Sequence, residues 1–158
     1  MDIQVQQANL HTDLDRIIRQ VEFMLNELSD NPGHVLRIGK IVKDIQAMNE
    51  HYFSFVALDN EDNIHGIANI LESVSIYANG KYGVITEFYV SKKVRHKGIG
   101  RQLLETAYQL AEEKEWDRLE VSVPLTPKGI HSVEFYEKMG FSHSGPKMER
   151  RIEEVGSR

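Results

Sequence analysis

Val90-Ser91-Lys92-Lys93-Val94-Arg95-His96-Lys97-Gly98-Ile99-Gly100-Arg101 closes a β-rich run, turns through a basic Gly-x-Gly segment and opens a strongly periodic helix. A strand, a glycine turn and a helix N-terminus in that order make a site for a phosphate group. Glycine at 98 and 100 removes side chains that would keep a ligand from the backbone, and the first N–H groups of the helix have no partner within it. Arg95, Lys97 and Arg101 add positive charge. A plainer alternative is a solvated basic loop whose glycines cap a turn. An ATP-type phosphate loop needs lysine and then serine or threonine after its last glycine, and Arg101-Gln102 stand there instead. A dinucleotide fold wants a small residue where Leu103 stands. Glu120 lies near the distance of its ribose-binding acid but inside a strand, so this reading is only a runner-up.

The chain has 158 residues, the length of one ordinary domain, and we expect a single domain over 1–158. It is 41% hydrophobic and 27% charged, a globular composition. With no cysteine, a disulfide framework, a thiol nucleophile and cysteine metal sites are all excluded. Met1-Asp2-Ile3-Gln4 lacks the pattern of a signal peptide and no window is apolar enough to span a bilayer, so a cytoplasmic protein without membrane partners is expected. The net charge of −5 disfavours nucleic acid, yet five basic side chains and His96 crowd into residues 92–101. A local anion site on an acidic protein reconciles the two. Scattered histidines at 11, 34, 51, 65, 131 and 143 show no metal-ligand spacing, and no metal is expected.

Outward from the loop, the periodicity sets the element order. Ile3 to Gln7 alternates as a short strand, and Thr12-Asp13 offers an N-cap. Leu14, Ile17, Ile18, Val21, Met24, Leu25 and Leu28 recur at helical spacing, stopped by Asn31-Pro32-Gly33. A second helix is expected through Val35, Ile38, Ile41, Val42, Ile45 and Met48. Tyr52–Leu58, Ile64–Tyr77 and Tyr82–Val90 read as an antiparallel meander. Ile99, Leu103, Leu104, Ala107, Leu110 and Ala111 line one helix face. A buried strand over Leu119–Leu125 follows and should pair in parallel. A last helix covers about Ile130 to Met139 with Gly140 beyond its end, before short strands near Phe141 and Met148.

Two stretches together resemble a family. Arg95-His96-Lys97-Gly98-Ile99-Gly100 is similar to the Arg/Gln-x-x-Gly-x-Gly/Ala signature of the GNAT superfamily of N-acetyltransferases. Ser132-Val133-Glu134-Phe135-Tyr136-Glu137-Lys138-Met139-Gly140-Phe141 resembles its second signature, in the right order, and the likeness covers nearly the whole chain. It implies an α/β fold with a mixed, mostly antiparallel sheet flanked by helices on both faces. It also implies acetyl-coenzyme A as cosubstrate. Backbone N–H groups from His96 through Arg101, beside Arg95, would wrap its pyrophosphate. Phe88, Tyr89 and Val90 would pair with the pantetheine arm, an N–H near Val90 facing the thioester oxygen.

Tyr136 matches the family tyrosine that protonates the departing thiolate; alone, it would read as a helix aromatic packed beside Val133 and Met139. A protonated amine cannot attack, so a carboxylate is needed as base, and Glu87 is the candidate. Many members carry their glutamate at the register of Thr86. A one-residue shift on a strand reverses the face unless a bulge intervenes. Glu87 as an exposed charge or substrate anchor stays open, with Glu120 in reserve. Gly129 departs from the family by replacing a common asparagine. The expected reaction is direct acetyl transfer to a primary amine of a cationic acceptor, a small molecule or protein, with a homodimer as the expected assembly. A binding module that holds acetyl-coenzyme A without turnover is the alternative.

Overall fold

Runs with a two-residue period in the middle of the chain become a five-stranded sheet in a computed structural model that describes residues 2–28, 35–123 and 130–152. The chain packs into two compact units, Met1–Val121 and Ser122–Arg158. The first unit runs β1 (Gln4–Gln7), α1 (Leu14–Leu28), α2 (Ile38–Met48), β2 (Tyr52–Leu58), β3 (Ile64–Ser75), β4 (Gly80–Val90), α3 (Ile99–Glu113) and β5 (Leu119–Val121). Strand order is β1-β2-β3-β4-β5, antiparallel except for the parallel β4–β5 pair. The sheet is therefore mixed and mostly antiparallel. A β4–α3–β5 crossover makes the parallel pair possible, since such strands cannot be joined by a tight turn.

Helices cover both faces. Ile17 of α1 packs with Val56, Ile67 and Tyr89. The neighbouring position on β3, Gly66, points the other way, and a Cβ there would stand 3.1 Å from Leu103 of α3. All six apolar positions read from the α3 periodicity are buried, from Ile99 to Ala111. No helix among the described residues is long and apolar enough to cross a membrane.

The decisive irregularity lies in β4. Asn69 pairs with Glu87, but the next residue, Ile70, pairs with Ile85, so Thr86 is an extra residue on β4. Ile85 and Glu87 are two apart and would share a face in a regular strand. Across this β-bulge they take opposite faces: Ile85 joins the α3 side through Ile70, and Glu87 joins the α1 side through Asn69.

Four expectations shift. The second helix starts at Ile38, with Val35 91% exposed ahead of it, and no side chain caps its N-terminus. β3 stops at Ser75, because Ile76 and Tyr77 belong to the turn. β5 is half-buried and ends at Val121; Ser122 and Val123 follow outside it, and Pro124 and Leu125 lie outside the described residues, as does the Asn31-Pro32-Gly33 stop. In the second unit, α4 (Ile130–Lys138) ends as expected, with Gly140 at φ 95°, but residues 141–152 form no strand. Gly145 at φ 105° and Pro146, which has no N–H to donate, break any ladder there.

The β2–β3 turn is tied by one carboxylate. Asp59 Oδ1 accepts the N–H of Glu61 at 2.8 Å and of Asn63 at 3.0 Å, while Oδ2 lies 2.7 Å from Nε2 of the buried His65. The His65 contact first, then the Asn63 N–H, holds the Asp59 carboxyl well below its usual range. Its folded value lies below its unfolded value, so the stability it contributes is complete above about pH 4 and is lost as pH falls. Melting temperature should fall from about pH 4 to pH 2, and Asp59→Asn should flatten that limb. An unchanged slope in the variant would show that the carboxylate contributes nothing in acid.

Candidate active site

The loop after β4 folds as its glycines demand. A 3-10 turn at Lys92–Val94 leads through Arg95 to His96 at φ 65° and Gly98 at φ 82°, both left-handed. An L side chain pays about 1–2 kcal/mol in that conformation and glycine does not. A Cβ on Gly98 would meet nothing within 4 Å, so the space before it is open. The first intrahelical bond of α3 runs from the N–H of Gln102 to the carbonyl of Gly98, at 3.1 Å. The N–H groups of Ile99, Gly100 and Arg101 are thus left for a ligand, at the positive end of the helix dipole. His96 and Lys97 are exposed, and Arg101 reaches back to Glu105 at 3.1 Å.

Before the loop, the described pairing on the β5 side of β4 is short. Among the described residues β5 pairs only with Gly83–Ile85, leaving the β5 side of Thr86–Val90 outside the ladder. The Ser91 N–H donates to the His65 carbonyl at 2.8 Å, which fixes the alternation: Tyr89 bonds β3, while the N–H groups of Phe88 and Val90 point away from it. Of the three residues expected to meet a pantetheine arm, Phe88 and Val90 turn their backbone N–H groups toward the β5 side. Tyr89 instead turns its ring to α1. The residues present therefore fit acetyl-coenzyme A: strand N–H groups for an extended arm, ending at a cradle for phosphates.

Glu87 sits beside the bulge in a chain of polar groups. Its Oε1 accepts from Asn69 Nδ2 and from Thr86 Oγ1, each at 2.9 Å, and Ser54 Oγ donates to Asn69 Oδ1 at 2.6 Å. Ser54 and Asn69 are 0% and 1% exposed, so the bond between them is made in low dielectric and holds Asn69 in place against the half-buried carboxylate. Tyr52 also meets Glu87 and Thr86; burial first, and the Glu87 charge second, push its phenol above the usual range. Sequence periodicity missed Ser54, Asn69 and Tyr52. The available signal was a polar residue inside each of two apolar strands.

Arg95 does not point its guanidinium at the cradle. Its Nε donates to the Val90 carbonyl at 2.9 Å and its Nη2 to Glu27 of α1 at 2.7 Å, with the Tyr89 hydroxyl also donating to Glu27, at 2.6 Å. Burial pushes the Glu27 carboxyl up, but the Arg95 and Tyr89 hydrogen bonds outweigh it and hold the group below its usual range. The cluster braces the loop against α1. Glu120, the reserve acid, is engaged by Tyr77 at 2.6 Å and Arg118 at 3.0 Å.

In the second unit, Tyr136 is 7% exposed on α4, with the rings of Phe135 and Phe141 both 5.5 Å away. Burial pushes its hydroxyl above the usual tyrosine range, so it stays protonated at neutral pH.

Residues 37–152 match the family profile of the acetyltransferase (GNAT) domain. Solved structures share the fold along nearly the whole chain. A predicted acetyltransferase of Clostridium acetobutylicum, solved with acetyl-CoA, is 17% identical with a TM-score of 0.78, over 95% of this chain and 96% of that one. Glucosamine-6-phosphate N-acetyltransferase of Arabidopsis thaliana is 16% identical at 0.73, over 97% and 100%. Aminoglycoside acetyltransferase meta-AAC0020 from an uncultured soil metagenomic sample, in complex with sisomicin, is 15% identical at 0.75, over 96% and 95%. At such identities the likeness concerns the fold, while the profile match spans most of the sequence, and the chain belongs to the GNAT acetyltransferase family.

Proposed function

We propose that this protein transfers the acetyl group of acetyl-coenzyme A directly to a primary amine, as one catalytic domain spanning the chain. Acetyl transfer as such follows from the family; the acceptor class and the residue roles are our reading. The observation that carries it is the bulge at Thr86, which turns Glu87 onto the α1 face and fixes it with Asn69 just before the stretch of β4 that leads to the glycine loop. Bound acetyl-coenzyme A supplies an acetyl group activated as a thioester.

The N–H groups of His96 through Arg101 hold the pyrophosphate, supported by Arg95 from behind, with Lys97 and Arg101 adding charge. Phe88, Tyr89 and Val90 form the strand along which the pantetheine lies, and the Val90 N–H faces the thioester oxygen. A donor fixed in advance for developing charge is worth about 2.7–4 kcal/mol in well-studied enzymes. Glu87 takes the proton from the acceptor ammonium. The Tyr136 hydroxyl, protonated at neutral pH as a tyrosine is, gives a proton to the departing thiolate. A thiol of pKa near 8.5 leaves tolerably as its anion, so this acid contributes modestly.

Release of free coenzyme A thiol from acetyl-coenzyme A, measured over a broad amine panel, tests the reading. Turnover with at least one amine is expected, and Tyr136→Phe should lower kcat by about tenfold without raising KM for acetyl-coenzyme A. Tight coenzyme binding with no thiol release from any amine would favour a non-catalytic binding module instead.

A further inference from the structure

An open cleft of about 1100 Å³ lies between α1 and the segment Ser91–Lys93 that leads to the phosphate cradle. That is roughly the upper end of the range for small-molecule sites. Its charges are uneven in their pairing. The two carboxylates on its wall are committed, Asp62 to Arg16 at 2.9 Å and Glu27 to Arg95 at 2.7 Å. Arg19, Lys92 and Lys93 also line it, and none of them makes an ion pair within 4 Å among the described residues. On a chain of net charge −5, three cations facing one concavity without an ion pair of their own create a local positive field suited to an anion.

A second observation narrows the ligand. Phe23 of α1 lines the same cleft and is 44% exposed, with the Arg19 guanidinium 5.7 Å from its ring centroid. With Arg19 over one face, the other face of this exposed ring offers a stacking surface for a flat ring carrying negative charge. The backbone cradle from His96 to Arg101 is a different set of groups, joined to the cleft only by the turn at Lys92–Val94.

We propose that this cleft binds a phosphate group attached to a flat ring, the chemistry of a nucleotide. The ligand is a free nucleotide, bound beside acetyl-coenzyme A rather than in its place; that distinction rests on the function proposed above.

Calorimetric titration of the full chain with adenosine 3′,5′-bisphosphate, adenosine and inorganic phosphate tests it, with acetyl-coenzyme A and its 3′-dephospho form titrated in parallel. The triple variant Arg19→Gln/Lys92→Gln/Lys93→Gln should bind the bisphosphate about tenfold or more weakly. A charge-matched variant elsewhere, Arg37→Gln/Lys43→Gln/Lys147→Gln, controls for general loss of positive charge and should bind as wild type. Phe23→Ser should weaken the bisphosphate about fivefold or more and leave inorganic phosphate unchanged. All these side chains lie at the surface, and thermal melts verify that each variant is folded. Binding of the bisphosphate beside saturating acetyl-coenzyme A is the expected result. Competition with acetyl-coenzyme A, together with a loss in the triple variant that the dephospho form does not show, would make the cleft part of the coenzyme's own site and overturns the proposal. No bisphosphate binding by the wild type, or equal affinity in the two triple variants, overturns the proposal. If acetyl-coenzyme A binds none of these proteins, the coenzyme reading fails, and the bisphosphate series alone still decides the cleft.

Discussion

Glu87→Gln should lower kcat/KM for the amine by about 100-fold or more at neutral pH, while acetyl-coenzyme A binding changes little. The substitution keeps the shape of the side chain and its acceptor oxygen, so Asn69 and Thr86 can still donate to it and the bulge is preserved. What disappears is the ability to take a proton. An amine of pKa about 10.4 is almost wholly protonated at pH 7, and a base acting at the site supplies the missing deprotonation. The deficit should therefore shrink as pH rises toward that value, because free amine then needs no help. Thr86→Val is the companion experiment. It removes one of the two hydrogen bonds to Oε1, made at 2.9 Å, and should cost far less than loss of the carboxylate. A Glu87→Gln enzyme with wild-type rates across this pH range would reduce Glu87 to a structural member of the Asn69 network.

Gly83→Val should destabilise the fold by about 3 kcal/mol, lowering the melting temperature by roughly 6–12 °C for a chain of this size. A Cβ at position 83 would stand 2.6 Å from Cζ3 of Trp116 and 2.7 Å from Cδ2 of Leu119. Trp116 cannot easily step aside. Its Nε1 donates to Glu72 at 2.7 Å, and its ring meets Phe53 edge-on with centroids 6.0 Å apart. Leu119 begins β5, whose pairing with β4 covers only three residues, from Gly83 to Ile85. The clash therefore strikes the parallel pair where it is shortest, and β5 should lose protection from hydrogen exchange before the β2–β4 meander does. A melting temperature unchanged from wild type would mean that the Trp116 indole moves at no cost.

Much of this architecture is legible in the residues. The α3 stripe, the three meander strands, the glycine turn and α1 from Leu14 to Leu28 follow from period and punctuation, because those signals are local. The limits of legibility are physical. Val35 continues a helical period but stands before the helix, since nothing caps the chain there. The strands expected near Phe141 and Met148 needed partners, and apolar residues alone supply none. At the candidate site, the left-handed turn and the helix start were readable from Gly98 and Gly100, whereas the direction of Arg95 was not: its guanidinium turns to Glu27, 68 residues away in sequence. Nor did any local pattern show that Ser54, Asn69 and Glu87 would stand abreast on three strands, because that alignment depends on ladder register.

The extra residue at Thr86 alters how this strand is aimed rather than which side each residue takes. Thr86 is exposed, between Ile85 and Glu87. Deleting it would leave Ile85 opposite Ile70 and Glu87 opposite Asn69, and as direct neighbours in a regular strand these two would still take opposite faces. What would go is the local bend and added twist of the bulge, together with the Thr86 hydroxyl that holds the Glu87 carboxylate. The residue acts as a removable kink: a strand one residue shorter would keep every partner and lose only its angle.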